Sequence, residues 1–330
     1  MPEPESGAAR QAENGVILSV THGGQARKVW VYRPRDADLF VAEAEKRVAV
    51  EAIEPLTDAA FGEVTCAVGW LYPLDVLEKF IEIQWVQSTS SGLDHLQGFA
   101  RRHPGVALTA MRGLNADVVA EYALAQVLGL RWRTLTYHRQ AQQRVWRGYK
   151  VPDISSTAAL IIGMGNIGQQ IARHLSTLGM RVLALRRQAK PCAHVDQVLD
   201  FGQLHMALGQ ADYVILSLPL TAETRYLIGA PELAAMKPGG YLINLSRGGI
   251  VDEAALAQAL QRADIAGAVL DVTETEPYPP EGPLWGAPNL LITPHVAGEH
   301  ADFARRAARH WAENLRRFLA QGAAAFQPVR

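Results

Sequence analysis

Residues 158–168 read AALIIGMGNIG. An apolar run ends at Ile162, glycines follow at 163, 165 and 168, and a helical pattern, IGQQIARHLSTLG, starts at once. This order restricts the chain to a strand, a tight turn and a helix. Gly163 permits the turn, Gly165 lets backbone approach a pyrophosphate, and Gly168 allows close packing of helix on strand. Asn166 and Ile167 complete the turn, and the helix start offers unpaired amides to phosphate. These five residues form the first candidate set for a dinucleotide.

The rest of the chain suits that frame. After VPDISS, apolar strands recur at 158–162, 181–185, 213–218, 241–245, 266–271 and 290–294. Amphipathic segments separate most of them, which implies a parallel sheet covered on both faces. Before it, KVWVY, CAVGW, IQWVQS and VALTA read as strands alternating with helical stretches. The pattern over 115–143 holds helical spacing with few breakers and is expected as one long helix. The fold class is therefore α/β, with parallel sheets flanked by helices and, at 330 residues, two domains.

Composition excludes several alternatives. The net charge is −1, which argues against nucleic acid or an anionic membrane as partner. No apolar run reaches the roughly 18 residues of a membrane span. Cys66 and Cys192 have no metal-ligand or paired spacing, so neither a metal nor a disulfide is expected, and a cytoplasmic location is. Residues 1–15 are small, acidic and free of an apolar core, and read as a disordered tail.

Ligands of an open parallel sheet bind beyond the carboxyl ends of its strands. There the sequence places Arg247 after YLINL, Glu274 and Glu276 after AGAVLD, and His295 after LLITP. Singly, each has an ordinary surface or loop reading. Together, beside a dinucleotide turn, they suit reduction of a 2-oxo acid. An arginine fork holds carbonyl and carboxylate. A histidine supplies the proton, and a carboxylate orients that histidine and keeps it charged.

At these residues the sequence resembles the D-isomer-specific 2-hydroxyacid dehydrogenases. The shared segments are STSSGLDHL, NADVVAEYALA, GMGNIG, SLPLTAETRYLI, MKPGGYLINLSRGGIVDEAAL, LDVTETEP and PLWGAPNLLITPHVAG, covering about 86–319. The resemblance implies Arg247, Glu276 and His295 as the catalytic set, with Glu274 off the matching position. It implies Ser91, Gly92 and Leu93, with Arg247, as the substrate-binding set. Leu218, Pro219, Leu245, Ser246, Arg247, Asp271, His295 and Gly298 fall in the cofactor set. It also implies two Rossmann-like or flavodoxin-like domains with a cleft between them. The substrate domain is then 16–113 plus 299–330, and the inserted dinucleotide-binding domain is 114–298. A homodimer through the 115–143 helix and the cofactor domain is expected as well. Asn115 and Glu121 match a structural helix motif.

One departure matters. GMRVLALRR puts Arg186, followed by Arg187, where NAD-using members commonly carry aspartate. An acid there would repel a 2′-phosphate, and a base accommodates it. NADP(H) is therefore the expected cofactor, with NAD as second choice. The expected partner is a small 2-oxo or 2-hydroxy acid of the glyoxylate or hydroxypyruvate type. The short stretch after the final helix argues against a feedback-regulated 3-phosphoglycerate dehydrogenase. Two rivals share the fold: a nucleotide-sensing protein like the C-terminal-binding-protein corepressors, and a formate- or phosphite-type dehydrogenase.

Overall fold

A computed structural model describes residues 15–326. Of the tail expected over 1–15, residues 1–14 lie outside them. Contacts divide the chain into two compact units: residues up to Leu114 together with those from His300 onward, and Asn115–Glu299.

The first unit is built on six strands: β1 (Val16–His22), β2 (Gln25–Tyr32), β3 (Ala49–Pro55), β4 (Val64–Gly69), β5 (Trp85–Ser88) and β6 (Ala107–Ala110). Their order is β3-β1-β2-β4-β5-β6. This sheet is dominated by parallel pairs, as expected, with one antiparallel strand. β1 runs antiparallel to both β2 and β3, while β2, β4, β5 and β6 are parallel. The cause is local. Gly23 and Gly24, at φ 57° and 79°, make a two-residue turn that pairs His22 with Gln25. Only glycine enters that left-handed pair without steric cost, and the turn returns the chain as a hairpin. The helices Ala37–Glu45 and Phe303–Gln321 cover one face, where Phe40, Trp85, Trp311 and Phe318 are buried together. Trp30, Phe80 and Phe99 fill the other. Tyr72 belongs to that second core, and its hydroxyl donates to the Gln87 carbonyl at 2.7 Å.

The second unit carries β7 (Ala158–Ile162), β8 (Arg181–Leu185), β9 (Gln197–Leu199), β10 (Tyr213–Leu216), β11 (Tyr241–Asn244), β12 (Gly267–Leu270) and β13 (Leu290–Ile292). All pair in parallel, in the order β13-β12-β11-β10-β7-β8-β9. The chain runs outward from β7 one way through β8 and β9, then returns to run the other way from β10. A switch point therefore opens between β7 and β10. Alternate residues of β7 enter opposite cores: Leu160 and Ile162 on one face, Ala159 and Ile161 on the other. Burial on both faces explains the unbroken apolar strands.

The single helix expected over 115–143 is two. Ala116–Arg131 ends at Trp132, Arg133 takes the left-handed region at φ 52°, and Thr134–Gln142 follows. Gly129 lies in the last turn of the first helix, but no glycine or proline occupies the break itself. A tertiary contact accompanies it: the Arg133 guanidinium lies over the Tyr149 ring, 4.4 Å from its centroid. Val119, Ala120, Ala123 and Val127 of the first helix pack beside Ile171 and Leu175 of helix Asn166–Thr177. No helix among the described residues is long and apolar enough to cross a membrane.

Candidate active site

The glycine turn lies at the switch point. Gly163 has φ 103°, and a Cβ there would sit 2.6 Å from the Ser217 carbonyl oxygen. Ser217 Oγ donates to the Gly163 carbonyl at 2.7 Å, so the ends of β7 and β10 are tied. A Cβ on Gly168 would fall 2.1 Å from the Gly163 carbonyl oxygen, so helix and turn touch through bare backbone. Gly165 differs: a Cβ there meets nothing within 4 Å. The helix begins at Asn166, and the first amides of a helix lack intrahelical partners. Open space at Gly165, backed by those amides, fits a pyrophosphate. Leu218, Leu245 and Ser246 are buried at the ends of the next strands, with Pro219 exposed beside them. The Leu218 amide donates to Ser246 Oγ at 3.4 Å.

Arg247 follows β11 in extended backbone, φ −144°. The buried Asn244 shapes its turn: Nδ2 donates to the Arg247 carbonyl at 2.9 Å and Oδ1 accepts from the Ser246 amide at 3.0 Å. A Cβ on Gly248 would lie 2.0 Å from the Thr273 carbonyl carbon. The arginine turn therefore rests directly on the peptide that opens the acidic loop after β12.

In that loop the Thr273 amide donates to Glu276 Oε1 at 3.1 Å. Glu276 Oε2 meets His295 Nδ1 at 2.7 Å. With Nδ1 engaged, proton exchange with a bound molecule runs through Nε2. The Glu276 hydrogen bond raises the His295 pKa, against burial and the nearby Arg247 charge. Burial pushes Glu276 upward, but the bond and charge of His295, the Thr273 amide and Arg247 together hold it below the usual carboxylate range. Glu274 points elsewhere. It accepts from Arg225 Nη1 at 3.1 Å and from the Tyr226 hydroxyl at 2.6 Å, and its amide donates to Glu253 Oε1 at 2.5 Å. Arginine, carboxylate and histidine thus share one rim with the glycine turn.

The profile of the D-isomer specific 2-hydroxyacid dehydrogenase NAD-binding domain matches residues 124–297. The chain belongs to the D-isomer-specific 2-hydroxyacid dehydrogenases. It is 31% identical to a glyoxylate reductase of Korarchaeum cryptofilum over 291 residues, 85% of each chain. Among solved structures it resembles a D-isomer specific 2-hydroxyacid dehydrogenase of Xanthobacter autotrophicus in complex with NADPH and MES. That match has a TM-score of 0.76 and 29% identity, covering 88% of this chain and 94% of the other. It also resembles the NADPH-dependent glyoxylate/hydroxypyruvate reductase of Sinorhizobium meliloti in complex with NADP and sulfate. There the TM-score is 0.71 and the identity 28%, covering 80% and 86%.

In this dehydrogenase, Arg186 stands directly past β8. Its amide donates to the Leu199 carbonyl at 3.1 Å and its Nη1 lies 3.0 Å from Cys192 Sγ. Arg187 is exposed. Asp196, the next acid along the chain, is held at the opposite end of β8, where Oδ2 accepts from the Val182 amide at 2.7 Å. Asp271, expected among the cofactor residues, is 2% exposed and accepts hydrogen bonds from within its own unit. The Gly298 carbonyl accepts from Asn115 Nδ2 at 3.1 Å, while Glu121 is exposed. Ser91, Gly92 and Leu93 follow β5 in the other unit, and the Gly92 amide donates to Ser90 Oγ at 3.2 Å. Among the described residues no cluster of His, Cys, Asp or Glu could hold a metal ion.

Tyr122, Thr293 and Glu253 escape sequence reasoning although they brace the loops of His295 and Glu276. Their signal is weak, because a hydroxyl or a carboxylate at the end of a motif declares no partner. The glycine turn gives a direct test. Gly168→Ala forces a methyl against backbone and should lower stability by about 1–3 kcal/mol, read by urea denaturation. Nucleotide affinity should fall with it. Wild-type stability in that variant would show that the turn relaxes freely.

Proposed function

We propose that this dehydrogenase reduces a small 2-oxo acid, of the glyoxylate or hydroxypyruvate class, to the D-2-hydroxy acid and prefers NADPH. The reading takes residues 114–298 as the cofactor domain and 16–113 with 299–330 as the substrate domain. The observation that carries it is the 2.7 Å His295–Glu276 pair beside Arg247 on the rim of the glycine turn. Both family structures reported above hold NADPH or NADP.

A bound nicotinamide supplies the hydride. Arg247 binds the carbonyl and carboxylate oxygens of the substrate and opposes the negative charge that grows as the carbonyl is reduced. Protonated His295 delivers the proton at Nε2 to that oxygen. Glu276 holds the ring by Nδ1 and favours its charged form. The Ser91, Gly92 and Leu93 loop binds the substrate carboxylate through backbone amides, the Gly92 amide leaving Ser90 Oγ to do so. Gly163, Gly165, Asn166, Ile167 and Gly168 take the pyrophosphate, and Leu218, Pro219, Leu245, Ser246, Asp271 and Gly298 surround the nicotinamide half. Arg186, with Arg187, meets the adenosine 2′-phosphate.

A panel of 2-oxo acids assayed with NADPH and NADH in parallel tests the whole reading. A kcat/KM with NADH equal to or above that with NADPH removes the cofactor preference. Turnover of none of the acids removes the reductase. Arg186→Asp should weaken NADPH use by about ten- to a hundredfold, the worth of a charge-assisted hydrogen bond, and raise NADH use.

The pH dependence has a fixed sign. Reduction needs protonated His295, whose pKa is raised chiefly by Glu276. Activity is full below that folded-state pKa and falls about tenfold per pH unit above it. Glu276→Gln removes the main raising cause, so the fall should begin at lower pH. An unmoved profile would take Glu276 out of this role.

We also assign the homodimer contact to helices Ala116–Arg131 and Thr134–Gln142 and the segment after them. Trp132 and Trp146, both more than half exposed, leave an apolar surface there. Trp146→Glu should shift the sedimenting species from dimer toward monomer. A wild type that sediments as a monomer contradicts the assignment.

A further inference from the structure

We propose that Thr293 and Tyr122 are positioning residues which, through Asp271, hold the 293–298 loop so that the imidazole of His295 meets Glu276. The inference rests on the reading of His295 as the proton donor.

The backbone of His295 is the starting point. Its φ is 55°, in the left-handed region that residues other than glycine enter rarely. A conformation of that kind persists only where its surroundings over-determine it. Here the amides on both sides of the kink are pinned to one residue. The His295 amide is shared between the Asp271 carbonyl at 2.8 Å and the Thr293 carbonyl at 2.9 Å. The Val296 amide donates to Asp271 Oδ1 and the Ala297 amide to Oδ2, each at 2.9 Å. Asp271 thus grips the loop with its main chain before the kink and with its carboxylate after it.

The Asp271 side chain is itself aimed from outside. Thr293 Oγ1 lies 2.7 Å from Asp271 Oδ1 and 2.6 Å from the Tyr122 hydroxyl. A hydroxyl carries one proton. Thr293 gives its proton to the carboxylate, which accepts only, so Tyr122 donates to Thr293. Burial raises the Tyr122 pKa, which keeps the phenol a donor. Three of the roughly four acceptor sites of a carboxylate are therefore taken within the protein. Asn115, which caps the start of the helix that carries Tyr122, closes the far end of the loop by donating from Nδ2 to the Gly298 carbonyl. Helix Ala116–Arg131 thus meets both ends of the loop that carries the histidine.

Thr293→Val removes the bridging hydroxyl at nearly constant volume and charge. In the nucleotide-free protein, followed by histidine NMR, His295 should then titrate at lower pH, because the Glu276 bond loses alignment. With substrate, kcat should fall roughly ten- to a hundredfold, while NADPH affinity stays within about twofold of wild type. Thr293→Ser keeps the hydroxyl and should restore both readouts. A His295 titration unchanged in Thr293→Val overturns the proposal, and so does a serine variant that fails to rescue. If the valine variant does not fold, Tyr122→Phe decides by the same titration: a downward shift supports the relay and none overturns it. The titration needs no substrate. A wild type that reduces no 2-oxo acid would sink the proposed activity and leave this test standing.

Discussion

The hydrogen bond between His295 Nδ1 and Glu276 Oε2 spans two loops, and its existence depends on the sheet. β12 and β13 are neighbours, with Leu270 paired to Ile292, so the loops that follow them leave side by side. The loop after β12 folds back on itself and also grips the loop after β13. The Thr273 amide holds Glu276, and Asp271 holds the backbone on both sides of His295. The third chemical group arrives by contact without side chains, since Gly248 leaves no room for a Cβ against Thr273. Three consecutive strand ends are brought together by peptide geometry. The charged side chains are carried to one place by it, so their attraction need not assemble the site.

The placement of chemistry at one rim follows from what the sheet interior can tolerate. The strands of the second unit are apolar on both faces, and an unpaired charge between them would be heavily penalised. Polar groups are therefore confined to the strand ends. Among those ends, the carboxyl side gains the helix N-terminus at Asn166 and open space at Gly165. Anions are favoured there and bulk is absent. A site for a phosphate-bearing, hydride-carrying ligand then has one place to form.

Features specified locally were legible in the sequence. The glycine turn declares itself by spacing, and Arg247, Glu276 and His295 by their position just past apolar strands. The hairpin of β1 and β2 was equally local, because Gly23-Gly24 requires it, but an expectation of α/β alternation concealed it. The break at Arg133 was not legible, since the residue is an ordinary helix former and its partner Tyr149 lies sixteen positions away. The same holds for Tyr122 and Thr293, which meet across 171 residues. Asp271 shows the subtler limit. Its motif suggests ligand contact, whereas in the folded chain its oxygens hold the loop beside it.

Strand order also separates the two properties that define such an enzyme. Arg186 follows β8, while Glu276 follows β12, and β7, β10 and β11 lie between those strands. Four strand spacings of roughly 4.8 Å put these ends about 19 Å apart. No small acid spans that distance, so one ligand can engage both only if it is extended, as a dinucleotide is. The same distance makes the two ends energetically independent, since sites beyond about 10 Å without shared partners contribute additively. In the proposed reading, discrimination at the ribose is set by charge at Arg186. The affinity of His295 for its proton is set by Glu276 and by the loop that presents it. Either can change while the other stays fixed, which allows one fold to pair a given proton chemistry with either nicotinamide nucleotide.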